Sequence, residues 1–336
     1  MLLLSGCIDP IDFTGNDEAP LLVVFGSLRI GDLPSELTIR RTQATGGPSA
    51  KITDAVVKII DGNGAETSMT PDAQGIYRLS TFGGFELTEG VFYHAEITFP
   101  DGKTFLTEPQ MMPPPPPPTE GIIDLQPRKA DISARADFTA TDTPLYVRAI
   151  YDEVYSFSEI FCGGLDPVLT CYFTETPALR RMPLFDNDGG QIRDTLNVKI
   201  FETRDFAARA KEFRGRHYFN FYLHSVPREA YVFWQNVNKI SDAQGTVFDP
   251  APAAVLGNVF EKDNPENRLL GYFETANVSV KRPFLRPSHF TEKDIFIPPF
   301  CPENTPPSLL DFGSFDRACC NCLRLEGGTL ERPDWF

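Results

Sequence analysis

Short apolar runs and strict two-residue alternation dominate the chain, and both patterns predict β-strands. Residues 21–28 form one apolar run. Residues 37–40 and 92–99 alternate apolar with polar side chains. Residues 55–60 lead into Asp61-Gly62-Asn63-Gly64, a hairpin signal. Pro71-Asp72-Ala73-Gln74-Gly75 and Pro100-Asp101-Gly102 are further turns, followed by strands over 76–79 and 104–106. Six or seven short strands at such spacing predict an immunoglobulin-like or transthyretin-like β-sandwich over residues 20–110.

Six prolines, 113–118, interrupt the pattern. Such a run cannot enter a helix or a central strand and favours polyproline II. Residues 111–120 are therefore expected to be a stiff linker, the prolines spanning roughly 19 Å. A second β-rich domain is expected over 121–300, with strands at 145–151, 197–201, 218–224, 269–273 and 276–280. Its one predicted helix runs from Arg228 to Ile240, a segment without Gly or Pro that brings Tyr231, Trp234 and Val237 together. The fold class is thus mainly β: a sandwich domain, then a second β-rich domain with one helix. Residues 301–336 form a Cys-rich tail.

Composition narrows the partners. A net charge of −15 over 336 residues offers no basic footprint for nucleic acid. No run of 18 apolar residues occurs, so no helical membrane span is predicted. Leu4-Ser5-Gly6-Cys7 reads as a lipobox, with residues 1–6 the remnant of a signal peptide and Cys7 the lipidated residue. Residues 7–19 carry Asp9, Asp12, Asp17 and Glu18 and form an acidic tether. Several acyl chains on Cys7 would anchor the protein stably to a membrane.

The other six cysteines are Cys162, Cys171, Cys301, Cys319, Cys320 and Cys322. An even set in an exported chain suggests three disulfides. Cys162 and Cys171 flank a turn and are the expected pair, while two bridges among the last four stay unassigned. The rival is a zinc site using Cys319-x-x-Cys322.

Candidate chemistry is sparse. His217 and His224 are seven apart, which places them on opposite faces of a strand. The chain has no H-E-x-x-H, G-x-S-x-G or Walker motif. Asp186, Asp188 and Asp194 form a weak calcium loop, with Asn197 where an EF-hand places its twelfth-position acid. Tyr222, Tyr231 and Trp234 are candidate ligand-facing aromatics, although their spacing also fits a core. No cofactor and no enzymatic activity are expected.

Two resemblances add to this. Ala55-Val56-Val57-Lys58-Ile59, Gly75-Ile76-Tyr77 and Gly90-Val91-Phe92-Tyr93 resemble the carboxypeptidase regulatory-like domain, a non-catalytic β-sandwich. The L-S-G-C motif, the acidic tether, the Pro-rich linker, the helix after Pro227 and the ending Cys322-Leu323-Arg324-Leu325-Glu326-Gly327-Gly328-Thr329 with Arg332-Pro333-Asp334-Trp335-Phe336 resemble a Bacteroidota lipoprotein family of unknown function (DUF 4249 type). That resemblance implies a lipid-anchored, surface-exposed outer-membrane protein, an accessory or substrate-binding partner of a SusC-like TonB-dependent transporter. A structural or adhesin-like envelope protein and a surface hydrolase are the alternatives. The proline run and the adjacent Cys319-Cys320 depart from the family pattern.

Overall fold

Strand pairing joins the two halves of the chain. The computed structural model describes residues 20–43, 49–79, 84–139, 143–159, 168–177, 181–188, 194–243, 255–297 and 321–336. The N-terminal strands are β1 (Leu22–Ile30), β2 (Glu36–Arg41), β3 (Ala50–Lys51), β4 (Val56–Asp61), β5 (Glu66–Pro71), β6 (Ile76–Leu79), β7 (Phe92–Thr98), β8 (Thr104–Thr107) and β9 (Gln110–Met111). Then come β10 (Thr119–Gln126), β11 (Lys129–Asp137), β12 (Tyr146–Ser158), β13 (Thr170–Glu175), β14 (Leu184–Asp186), β15 (Thr195–Thr203) and β16 (His217–Val226). Helix α1 (Arg228–Ala243) precedes β17 (Leu256–Glu261), β18 (Asn264–Lys281), β19 (Phe284–Leu285) and α2 (Pro287–Thr291). The mainly β expectation and the helix after Pro227 both hold.

Nine strands close into a barrel-like ring in the order β1-β2-β6-β5-β4-β7-β8-β17-β18, and β18 returns to β1. The closing pair is parallel, from Val23 opposite Leu270 to Ile30 opposite Asn277. The alternation seen in the sequence fills the ring: Val24, Leu28, Leu37, Ile39, Val57, Ile59, Ile97 and Phe273 are buried together inside it. The boundary expected at 111–120 therefore does not separate the strands. Residues 20–110 lack two ring members, and β17 and β18 supply them. Periodicity could not reveal this, because pairing across more than 240 residues leaves no local signature.

Gly257 and Gly271 permit the closure. Gly271 has φ +93°, and a Cβ there would sit 2.0 Å from the Val24 carbonyl oxygen. A Cβ on Gly257 would sit 1.8 Å from the Gly271 carbonyl oxygen. Three backbones meet here with no room for side chains.

The prolines do not form a free spacer. Pro113, Pro116 and Pro117 are buried, which suits the three-residue repeat of polyproline II lying along a surface. On the N-terminal side Thr275 Oγ1 donates to the Met111 carbonyl at 2.8 Å, fastening the segment to β18.

Strand β18 runs 18 residues and continues past the ring into β16, β12 and β13. This extension is covered on both faces. One face packs against the three-stranded sheet β10-β11-β15 through Phe219, Phe221 and Leu223 of β16, Val147 and Ala149 of β12, and Ile132 and Ala134 of β11. The other packs against α1 through Val226, Ala230, Tyr231, Phe233, Tyr272 and Ala276.

Candidate functional site

The face beneath α1 carries charges among its apolar groups. Alternation places Phe25, Ser27 and Arg29 of β1 on the outside of the ring, since Val24 and Leu28 point in. Glu274 of β18 lies beside Ser27 in the parallel register. Arg148 of β12 stands directly opposite His224 of β16. Phe25, Ser27, Arg29, Glu274 and Arg148, with Trp234 from α1 and Glu36 from β2, border a pocket of about 320 Å³.

Arg148 and Glu274 form a buried ion pair, Nη2 to Oε1 at 2.6 Å, with side chains 6% and 3% exposed. Trp234 Nε1 donates to the second Glu274 oxygen at 2.9 Å. The Arg148 guanidinium lies over the Trp234 ring, 4.9 Å from its centre. Phe25 stacks with the same ring at 6.2 Å and 19°. Arg29 donates to the Pro34 carbonyl at 2.8 Å and pairs with Glu36 at 3.6 Å. Burial pulls the Arg29 pKa down more than Glu36 and Glu274 restore it. His224 is buried with neither ring nitrogen bonded, so burial, reinforced by Arg148 and Arg29, holds it well below the usual histidine range and neutral.

A second polar cluster lies on the far face. Odd-numbered residues of β12 run from Val147 and Ala149 in the core to Glu153 and Tyr155. Glu153 is opposite Glu175 of β13, and Tyr155 is opposite His217 of β16. Two like charges facing across strands repel, and Arg209 offsets this. Its Nη2 lies 2.7 Å from Glu153 and 3.8 Å from Glu175, and its Nε donates to Glu212. Its guanidinium rests over Phe201 at 4.4 Å. His217 Nε2 meets Glu153 at 3.0 Å, and the Tyr155 hydroxyl donates to Glu175 at 2.9 Å. Burial raises the Glu212 pKa to about 7 and lowers that of His217.

Glu153, Glu212 and His217 offer ligand atoms within 4.8 Å of one another, a spacing that a metal ion would accept. Arg209, however, already bridges both carboxylates with a positive charge of its own. An ion would have to displace a guanidinium held by three acids and an aromatic face. The cluster is best described as a neutralised core network.

The candidates from the sequence are dispersed. Tyr231 donates to Asp186 at 2.6 Å. Tyr146 donates to Asp188 at 2.6 Å. These two members of the calcium candidate thus serve as tyrosine acceptors, and the path to Asp194 crosses residues 189–193, outside the described residues. Tyr231 borders a larger pocket of about 680 Å³ between α1 and β14. Tyr222 lies at neither pocket; burial and Asp152 raise its pKa. Trp234 alone borders the charged pocket. The opposite-face placement of His217 and His224 holds.

One pairing is corrected. Cys171 is bonded to Cys322, 151 residues away, and not to Cys162. Cys171 points inward from β13 beside Phe157 and Phe173, and the tail brings Cys322 into that pocket. Tyr172 and Thr329 pair by backbone hydrogen bonds alongside. The same bond takes Cys322 out of the zinc alternative. Cys7, Cys162, Cys301, Cys319 and Cys320 lie outside the described residues. The Arg148–Glu274 and Arg209 networks were not read from the sequence, because their members come from remote strands. The Arg209-x-x-Glu212 spacing is the one local signal from which part of the second network could be found.

Residues 8–282 match the model of the family described as Domain of unknown function (DUF4249). A search of curated proteins finds no match.

Proposed function

We propose, on the premise that the chain belongs to the DUF4249 family of unknown function, that it is a lipid-anchored, surface-exposed outer-membrane protein. It serves a SusC-like TonB-dependent transporter as a non-catalytic, substrate-holding accessory. The observation that carries the exported location is the Cys171–Cys322 bridge, with both cysteines fully buried. Disulfides of this kind persist in oxidising compartments. Leu4-Ser5-Gly6-Cys7 supplies the anchor and residues 7–19 the tether. The carboxypeptidase regulatory-like resemblance of 20–110 supports the same reading, a non-catalytic scaffold within the ring that β17 and β18 complete.

The pocket beneath α1 supports the holding role. Its carboxylates are tied to guanidinium and indole donors, an arrangement suited to fixing a shape and not to cycling protons.

Two measurements test the reading. Mass spectrometry of the mature protein from its own envelope is expected to find an acylated Cys7 at the N-terminus. Mild detergent extraction is expected to recover the chain with a large β-barrel. An unmodified peptide beginning at Met1 sinks the anchor, and recovery as a free monomer in several mild detergents sinks the partnership.

A further inference from the structure

We propose that the pocket beneath α1 binds a small organic monocarboxylate, its oxygens held by Arg29, Arg148 and Ser27 and its apolar body against Phe25, Ile150 and Trp234. This deepens the substrate-holding reading of the same pocket and rests on it.

The argument is an imbalance between donors and acceptors. Every carboxylate oxygen at the pocket has a guanidinium or indole partner, by hydrogen bond or ion pair. Glu274 takes Arg148 on one oxygen and Trp234 on the other. Glu36 takes Arg78 at 2.6 Å on one and Arg29 at 3.6 Å on the other. Donors are left over. Arg29 Nε, Arg148 Nε and the Ser27 hydroxyl are all buried without an acceptor. Each such group carries the desolvation cost of an unmade hydrogen bond. The missing partner is therefore an acceptor, and two guanidiniums ask for an anionic one.

Charge and shape narrow the class. Glu36 and Glu274 already face Arg29 and Arg148, so a second negative charge on the ligand would meet only repulsion from those carboxylates. Phe25 and Arg148 already pack on the Trp234 ring, so the ligand meets the indole at its edge, a contact that suits an aliphatic body better than a stacked sugar ring. The volume of about 320 Å³ corresponds to roughly ten water-sized groups. Phe25 is 41% exposed and the Arg29 side chain 18%, which opens the mouth on their side. The three unpaired atoms are themselves closed to bulk water. Arg29, the most exposed of the three side chains, turns toward the ligand and the Ser27 hydroxyl rotates, while Arg148 keeps its bond to Glu274.

The test uses the purified full chain carrying Trp335→Phe, which leaves Trp234 as its one tryptophan. Hexanoate and cyclohexanecarboxylate are titrated against Trp234 emission, with maltose and inorganic phosphate in parallel. A saturable change with a carboxylate is expected, weakened at least tenfold by Arg29→Gln. No saturable change with either carboxylate overturns the proposal, as does undiminished binding in Arg29→Gln or tighter binding of phosphate or maltose. If circular dichroism shows Arg29→Gln misfolded, Ser27→Ala takes its place. A loss of threefold or more supports the proposal, and unchanged affinity overturns it. None of these outcomes bears on the acylation of Cys7 or the recovery of a β-barrel, so the two readings fail separately.

Discussion

Arg148 and Glu274 are 126 residues apart in sequence, yet their side chains meet at 2.6 Å beneath α1. The pair ties β12, outside the closed ring, to β18, inside it. Trp234 completes the contact from the helix, so three elements depend on one carboxylate. Losing one partner of a buried pair exposes the full desolvation cost of the other.

Glu274→Gln is accordingly expected to destabilise the protein by about 3–5 kcal/mol, since Arg148 stays charged in a dry site. Urea denaturation at neutral pH measures this. The double variant Arg148→Met with Glu274→Leu should recover most of the loss, because apolar groups of similar volume need no partner. A double variant as unstable as the sum of the singles would mean that the pair acts through something other than charge.

The Cys171–Cys322 bridge closes a loop of 151 residues. Chain entropy alone allows it a stabilisation of up to about 5 kcal/mol. It also pins the tail, whose Trp335 and Phe336 pack on Tyr218 at 5.4 and 4.9 Å. Non-reducing peptide mapping should find Cys171 joined to Cys322. Replacing both by Ala should lower the melting temperature and make the C-terminal segment the first site of limited proteolysis. A Cys162–Cys171 peptide would contradict the pairing.

The Arg209 network carries a pH dependence whose sign is fixed. Burial holds the Glu212 carboxyl at about 7 in the folded protein, against 4.5 ordinarily. The folded chain keeps a proton that the unfolded chain releases between those values. Stability from this group is therefore present below about pH 4.5 and is lost as pH rises through 7, by up to about 3 kcal/mol. His217 and His224 act oppositely: burial lowers both pKa values, so the unfolded chain takes up protons first and acid destabilises. The difference between Glu212→Gln and the wild type isolates the carboxyl. The variant should gain relative stability from pH 4.5 to 7.5 and then level off. A difference that is constant across that window would falsify the assignment.

What the sequence disclosed follows from the range of the forces involved. Alternation in 37–40 and 92–99 is local, and it marked β2 and β7 correctly. The helix after Pro227 was equally legible, because a 3.6-residue stripe needs only its own segment. Ring closure was not, because the parallel pairing of β1 with β18 depends on residues more than 240 positions apart. Trp234 could be singled out as an aromatic on a helix face. Its partners Arg148 and Glu274 could not, since a charged residue in a strand reads as solvent-facing until another element covers it. Cys171 was misassigned for the same reason: its partner, Cys322, is 151 residues away in sequence.

The closure itself makes the last prediction. Gly271 has φ +93°, and its Cβ position is 2.0 Å from the Val24 carbonyl oxygen. Ala at this site meets two penalties, the positive φ and the collision with β1. Gly64 separates them, since its φ is +85° and nothing lies within 4 Å of its Cβ position. Gly64→Ala should cost about 1–2 kcal/mol from backbone strain alone. Gly271→Ala should cost distinctly more, because relief requires β1 to move away from β18 and break the parallel pairing. Denaturant titration gives the two costs, and amide hydrogen exchange locates them. In Gly271→Ala the protection of Val24 to Leu28 should fall, while that of the β10-β11-β15 sheet should not. Equal costs for the two variants, or exchange unchanged in β1, would mean that the ring does not close through this contact.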